Sequence, residues 1–225
     1  MRLSPVSDPA GDLAEIAGLD LNYDPSTTSG RGWHHDRLRH PLGVEEPGDP
    51  EPDGPWAVAC ALVHDYEFAD RHIMSALFHA NAPLEGRNML LEGRFLVLRF
   101  PMGVRVDAVV DETRARADGT SERVWGWSYR TLGRHLERGR LVYEVVKNTT
   151  TGRVEFVITG VSSRAKIPNP VIALGFGVFG RTTQWRFYRA AARKLEERVR
   201  HVLEGGDRPV PDPVGPGDVV RAPSR

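Results

Sequence analysis

Aromatic residues with period-two spacing, followed by a histidine, form the part of the chain best suited to chemistry. Trp125, Trp127 and Tyr129 alternate with small or charged residues, so a β-strand would present their rings on one side. His135 follows in a predicted loop, and imidazole is the side chain that most readily exchanges protons near neutral pH. This combination indicates an aromatic cavity with polar groups at its mouth.

Three polar side chains are expected to face a molecule held in that cavity. Tyr129, His135 and Arg164 would orient a polar or anionic head, and Thr131 lies in the same loop as His135. The first hypothesis is therefore a protein that binds a small hydrophobic or amphipathic molecule without a cofactor. The ligand-binding residues that it predicts are Trp125, Trp127, Tyr129, Thr131, His135, Phe156, Ile158, Arg164, Trp185 and Tyr188.

The same residues support two other hypotheses. In a cofactor-independent enzyme of the cyclase, hydrolase or isomerase type, His135 would be a general base, with Tyr129 or Arg164 stabilising negative charge. In a protein-interaction domain the aromatic rings would instead fill the core, where large rings are common. The sequence leaves these alternatives open.

One glycine motif suggests a nucleotide but lacks the necessary context. Residues 175–180 read Gly-Phe-Gly-Val-Phe-Gly, which matches the G-x-G-x-x-G pattern of dinucleotide-binding proteins. That pattern needs a second parallel strand with an acidic residue about 20 positions later, whereas Glu196 and Glu197 fall in the same predicted helix. We therefore expect no cofactor, and we interpret the two phenylalanines as an apolar gate.

Neither group of histidines predicts a metal site. His34, His35 and His40 lack the spacing of a zinc site, and His72 and His79 have no carboxylate between them to complete a ligand set. The first three are interpreted as solvated loop residues. No metal ion is expected.

Composition argues against several classes of partner and indicates a location. The 30 basic and 30 acidic residues give a net charge of zero, so no global field favours nucleic acid. We find no signal peptide and no apolar run of the roughly 20 residues that span a bilayer, so membrane insertion is not expected. Cys60 is the one cysteine, which fits a reducing compartment. The expected location is cytoplasmic.

Hydrophobic periodicity predicts the elements that would position these residues. Alternation of Val104, Val106, Ala108 and Val110 indicates a strand with one buried face, and residues 101–103 are predicted to be a hairpin loop. A turn is expected at 118–119 and another at 148–152. The predicted elements are strands over 56–63, 94–100, 104–111, 124–129, 140–147 and 154–162, and helices over 68–78 and 169–201.

This order predicts an α+β fold in which a curved antiparallel sheet grips a long C-terminal helix. Residues 55–204 are expected to form that domain. Residues 1–54 are predicted to be an N-terminal extension that ends in a linker rich in proline, glycine and acid, and 205–225 a disordered tail. Within the extension, residues 18–24 alternate as an added edge strand would.

Two segments carry a resemblance to a known family. The first matches the pattern Tyr-Gly-Thr-Leu-x-x-His-x-x-x-Gly-Glu at Tyr129, Thr131, Leu132, His135 and Gly139, with Arg130 in place of the glycine and Arg140 in place of the glutamate. The second, ending in Ser163-Arg164-Ala165, is similar to a strand ending in Ser-Arg-Pro. The chain thus resembles the domain-of-unknown-function family nineteen-ninety, among the START-like (SRPBCC) helix-grip proteins. The resemblance implies the fold and assigns no catalytic residue.

Overall fold

The computed structural model describes the backbone of residues 6, 8–28, 30, 32–95, 98–133, 135, 137–164, 170–215 and 217–225. It describes their side chains except at positions 95, 98, 164 and 170–180. Besides a short 3₁₀ turn (Pro25–Thr27), its elements are helices α1 (Pro9–Ala17), α2 (Pro55–His64) and α3 (Pro170–Leu203), and strands β1 (Trp33–Val44), β2 (Met74–His79), β3 (Asn88–Phe95), β4 (Leu98–Ala115), β5 (Ser121–Thr131), β6 (Glu137–Asn148), β7 (Arg153–Arg164), β8 (Asp212–Pro213) and β9 (Val219–Ala222).

The strands form one antiparallel sheet in the order β1-β7-β6-β5-β4-β3-β2-β9-β8. Strands β3 to β7 are a meander, and β1 closes one edge by pairing with β7. Helix α3 buries Tyr188, Ala191, Leu195 and Val199 against the sheet face that carries Trp127, and we call this the inner face. The fold is the α+β helix grip that the sequence predicts.

The first predicted strand and the first predicted helix are both wrong. Residues 56–63 form helix α2, because Pro55 occupies its first position and Ala59, Leu62 and Val63 share one buried side. The second half of 68–78 belongs to strand β2, which pairs with β3 and β9. Short apolar runs fit either period, so their sequence did not separate the two structures.

Strand β4 also differs from the prediction. Residues 101–103 lie inside it, and Gly103 is needed there because its bare Cα faces Ile16 of helix α1. The register shifts between Val106 and Ala108, so the predicted alternation breaks. Val106 packs in the main core, whereas Val110 packs with valines on the opposite, outer face of the sheet. The turns predicted at 118–119 and 148–152 are confirmed.

Both ends of the chain join the sheet that the prediction confined to residues 55–204. Strand β1 precedes that boundary, and β8 and β9 belong to the tail that was predicted to be disordered. Buried carboxylates hold the tail, since Glu67 accepts hydrogen bonds from Ser224 and Glu92 pairs with Arg221. Residues 18–24 form only an isolated bridge, between Leu21 and Leu132, in place of the expected edge strand.

The acidic segment after β1 is ordered by a buried ion pair. Lys147 Nζ lies 2.7 Å from Glu45 Oε2, and both side chains are fully buried. Lys147 also donates to the Asp49 carbonyl at 2.8 Å, and Glu45 accepts the backbone N–H of Trp56 at 2.7 Å. The composition of residues 41–54 predicted a linker, but this charged anchor fixes it against the start of α2.

Candidate functional site

Aromatic rings pack against the inner face of the sheet, in the core shared with helices α2 and α3. Tyr143 is at the centre, with its ring centroid 4.6 Å from Phe68, 5.1 Å from Trp127 and 6.1 Å from Phe156. All four side chains are at most 1% exposed. The rings are tilted, edge-on or stacked, as in well-packed aromatic clusters.

Most of the aromatic residues predicted for the site do meet there. Trp127, Tyr129, Phe156 and Tyr188 share one buried cluster, together with the predicted Ile158. The other two predicted aromatics lie at its edges and are partly exposed. Trp185 packs edge-on against Tyr188 at 5.8 Å, and Trp125 lies beside His64 at 6.3 Å.

Sequence reasoning missed three central rings: those of Tyr66, Phe68 and Tyr143. Tyr143 had a usable signal, because Leu141, Tyr143 and Val145 alternate in β6 as the predicted aromatics do in β5. Tyr66 and Phe68 follow helix α2. Because this helix was predicted as a strand, the directions of the Tyr66 and Phe68 side chains could not be predicted.

Four interior tyrosines, Tyr66, Tyr129, Tyr143 and Tyr188, form what we call the tyrosine cluster. Burial is the main cause that raises the pKa of each hydroxyl, and the neighbouring tyrosines contribute further shifts. All four therefore remain neutral and carry a proton that can be donated at pH 7.

Three of these hydroxyls are buried and poorly satisfied. Within the described part of the chain, the oxygens of Tyr66, Tyr143 and Tyr188 make no hydrogen bond of full geometry, although Tyr143 lies near the hydroxyls of Tyr66 and Tyr129 and Gln184 lies near that of Tyr188. The indole of Trp127 shows the contrast, since its Nε1 donates to the Val63 carbonyl at 3.0 Å. Natural interiors satisfy nearly all buried polar atoms, so three hydroxyls without a hydrogen bond of full geometry in one cluster call for an explanation.

The backbone of Tyr66 adds a second unusual feature. Its φ of 59° is left-handed, at the position after helix α2 where glycine is usual. The hydrogen bonds from Tyr66 N to Val63 O and from Glu67 N to Leu62 O complete a Schellman motif. A bulky residue in this conformation costs about 1–2 kcal/mol, and such strain is concentrated at functional sites.

Helix α3 is held over β1 and β7 by polar contacts. Arg181 donates to Asp36 through two nitrogens, at 2.5 and 2.7 Å, and Gln184 Nε2 donates to Ser162 Oγ at 3.2 Å. Gly160 leaves room for the Tyr188 hydroxyl, which a side chain at that position would displace. These contacts fix the depth at which Tyr188 enters the interior.

The predicted polar residues Thr131 and His135 serve the loop between β5 and β6. Thr131 Oγ1 donates to Asn22 Oδ1 at 2.6 Å and accepts the Gly139 N–H at 2.9 Å. His135 Nδ1 accepts the Glu137 N–H at 2.9 Å, so the ring proton resides on Nε2. Burial lowers the pKa of His135 to about 4. The ring is then a neutral donor, which opposes the proposed general base.

Glu137 has an unusual carboxyl group next to this loop. Desolvation raises its pKa to about 7, against the opposing effect of Arg181. Arg164 stands opposite Glu137 in the β6–β7 register, but its side chain lies outside the described residues. The expected gate at 175–180 likewise falls on undescribed side chains, within the backbone of α3.

The histidines that were interpreted as loop residues are in fact part of strand β1. His40 Nε2 lies 2.8 Å from Glu196 on α3, while His34 and His35 are exposed. No three histidine, cysteine or carboxylate side chains come together as a metal site in the part of the chain that the structure describes. No helix over these residues is long and apolar enough to cross a membrane.

Comparison with known proteins identifies the family. A family model described as "Domain of unknown function (DUF1990)" matches residues 22–194. The chain belongs to this family. The DUF1990 match starts before residue 55 and includes strand β1, in agreement with the sheet described above. No curated protein matches the sequence.

Two solved structures resemble the chain at low sequence identity. "Crystal structure of Ara h 8.0201" has a TM-score of 0.42 and 10% identity, covering 75% of this chain and 99% of that one. "Crystal structure of human STARD10" has a TM-score of 0.37 and 11% identity, covering 91% and 86% respectively. Because both TM-scores are below 0.5, the fold assignment rests on the strand order and the packing of α3.

Proposed function

We propose that this protein binds a small amphipathic molecule between the inner face of the sheet and helix α3. The observation that supports the proposal is the set of buried hydroxyls on Tyr66, Tyr143 and Tyr188, none of which makes a hydrogen bond of full geometry within the described part of the chain. The apolar body of the molecule would contact Trp127 and Phe156, and an oxygen atom of the molecule would accept hydrogen bonds from the tyrosines.

Energetics favour this reading over a core that is filled only by its own side chains. A buried donor without an acceptor costs about 1–3 kcal/mol, and phenylalanine would fill nearly the same space without that cost. Three such hydroxyls and one strained backbone position would lower the free energy of unfolding of an interior that served only a structural role. A ligand that accepts these hydrogen bonds offsets the cost.

The chemistry of the donors also narrows the ligand. The hydroxyls stay protonated because burial raises each pKa, so they suit a neutral carbonyl, ether or hydroxyl oxygen. An anion would have to be desolvated to reach them, which is far more costly than burying a neutral group. We therefore expect a mainly apolar molecule with a neutral oxygen.

Two fluorescent probes test the proposal. Nile red is neutral and carries a ring carbonyl, whereas diphenylhexatriene is a hydrocarbon of comparable length. We expect Nile red to bind the wild type, and Tyr143→Phe or Tyr188→Phe to weaken its binding about tenfold, the value of one hydrogen bond. Diphenylhexatriene should bind wild type and variants equally.

Tyr23→Phe is the matched control, because Tyr23 lies against Trp33, outside the tyrosine cluster, and its removal should change neither affinity. Thermal unfolding of each variant shows whether the fold survives. If neither probe binds folded wild type, or if both bind the phenylalanine variants as tightly as wild type, the proposal is wrong.

A further inference from the structure

A row of three arginines crosses the outer face of the sheet. Arg105 on β4 stands opposite Arg130 on β5, which stands opposite Arg140 on β6. Their chain neighbours Val104, Tyr129 and Leu141 are buried on the inner face, so the arginine row lies on the outer face. It is therefore separate from the tyrosine cluster.

Like charges directly opposite each other destabilise a sheet, so the row calls for counter-charge. Asp107 supplies one, because the β4 bulge places its carboxylate 2.7 Å from Arg130 Nε and 3.2 Å from Arg140 Nε. Ser128 donates to the same carboxylate at 2.6 Å. One carboxylate among three guanidinium groups leaves a local excess of two positive charges.

One of the three arginines is already bound within the fold. Arg105 donates to the Ala17 carbonyl at the end of helix α1 and to Asn88 Oδ1, both at 2.8 Å. Arg130 and Arg140 remain 30% and 40% exposed, so their outer nitrogens reach solvent. These two side chains are the accessible part of the row.

A fourth arginine and two aromatic rings border the row. Arg138 lies two residues from Arg140 in β6, on the same face, with its guanidinium 5.5 Å from the Trp33 ring. The Trp33 ring packs on Tyr23 at 5.7 Å. Together they form a rigid rim beside the exposed guanidinium groups.

We propose that this outer face binds the phosphate group of a phosphomonoester. The excess of positive charge favours a phosphate dianion, whose oxygens accept the paired N–H groups that guanidinium presents.

Vesicle sedimentation and calorimetry on the full chain test this site. The probes are inorganic phosphate, phosphatidylcholine vesicles with phosphatidic acid, and phosphatidylcholine vesicles with phosphatidylserine, which lacks a phosphomonoester. We expect binding to phosphate or phosphatidic acid, and at least a tenfold loss in Arg130→Gln/Arg140→Gln. Binding to phosphatidic acid without binding to phosphate identifies a lipid headgroup, and binding to both identifies the phosphate alone as the determinant.

The control variant Arg186→Gln/Arg193→Gln removes the same charge from the exposed side of helix α3 and should bind as wild type does. Arg130→Lys/Arg140→Lys keeps the charge and loses the guanidinium geometry, so it should retain only part of the affinity. The site is refuted if wild type binds none of the probes, binds phosphatidylserine equally well, or binds as tightly after Arg130→Gln/Arg140→Gln.

Discussion

Two groups of buried polar atoms lie in the same interior but differ in how well their hydrogen bonds are satisfied. Under helix α2, Lys147 and Glu45 pair with each other and with backbone groups, and Trp127 donates to Val63. In the tyrosine cluster, three of the four hydroxyls make no hydrogen bond of full geometry in the described part of the chain. Yet the ring centroids of Trp127 and Tyr143 are only 5.1 Å apart.

Under the proposed function, the first group serves the stability of the fold and the second serves ligand binding. A fully satisfied polar network is costly to break and holds the chain in one arrangement. Poorly satisfied donors lower the stability of the folded state, and a ligand that supplies an acceptor would offset that cost. The α2 region should therefore respond to mutation through stability, and the tyrosine cluster should respond through ligand affinity.

The largest expected effect comes from breaking the buried ion pair. Lys147→Met leaves the Glu45 carboxylate buried without its cation, and such a loss typically costs about 3–5 kcal/mol. Urea unfolding followed by circular dichroism measures it. Lys194→Met, at an exposed pair with Glu197, should change stability by less than about 0.5 kcal/mol. Equal effects of the two substitutions would contradict the role of the anchor.

Removing the satisfied indole should have the next largest effect. Trp127→Phe deletes the hydrogen bond to Val63 and leaves unfilled volume, which together should lower the free energy of unfolding by about 2–4 kcal/mol. Trp185→Phe, at the partly exposed edge, should cost less than about 1 kcal/mol. If both variants unfold at the same urea concentration, Trp127 is not an anchor.

A pH-dependent effect is expected at Glu137. Its pKa rises from 4.5 to about 7 on folding, so the folded protein keeps a proton that the unfolded chain releases between these values. Ionisation at Glu137 therefore opposes folding, and its contribution to stability falls as pH rises through this window. Glu137→Gln should be more stable than wild type at pH 8, by roughly 1–3 kcal/mol, with the advantage vanishing near pH 4.5.

Unfolding midpoints at pH 4.5, 6 and 8 provide the measurement. Glu197→Gln, which removes an exposed charge, serves as the control and should differ little from wild type at each pH. An advantage of Glu137→Gln that is the same at every pH would show that the carboxyl titrates alike in both states.

The smallest effect on stability should come from the tyrosine cluster itself. Tyr143→Phe removes an unsatisfied hydroxyl while keeping the ring, so the free energy of unfolding should stay within about 1 kcal/mol of wild type or rise. The same urea titration tests this. A loss above about 2 kcal/mol would mean that the hydroxyl is satisfied in the folded protein and would remove the contrast with Trp127.

The sequence predicts the centre of the fold better than its margins. The pairing register through β5, β6 and β7 has no shift, so their inner-face residues recur at every second position, and the stripe of Tyr188, Leu195 and Val199 identifies α3. In β4 the bulge after Val106 reverses the pattern, which alternation alone does not reveal. The short run at 56–63 fits a strand and a helix equally well.

Long-range charged contacts explain why two segments that composition predicted to be disordered are ordered. Residues 41–54 and 205–225 have the proline-rich, polar composition of disordered segments, but Lys147, Glu67 and Glu92 bind them from distant parts of the chain. No local pattern encodes those partners. The same holds for the site. Spacing along β5 predicts which rings point inward, whereas the position of Tyr66 depends on where helix α2 ends.

Native mass spectrometry tests the central claim most directly. Wild type and the variant Tyr66→Phe/Tyr143→Phe/Tyr188→Phe are exposed to the same cell extract, repurified and weighed before and after denaturation. The proposed function predicts an added mass on the wild type that disappears on denaturation and is absent or much reduced in the triple variant. An unmodified mass for the wild type, or the same added mass on both folded proteins, would contradict ligand binding at the tyrosine cluster.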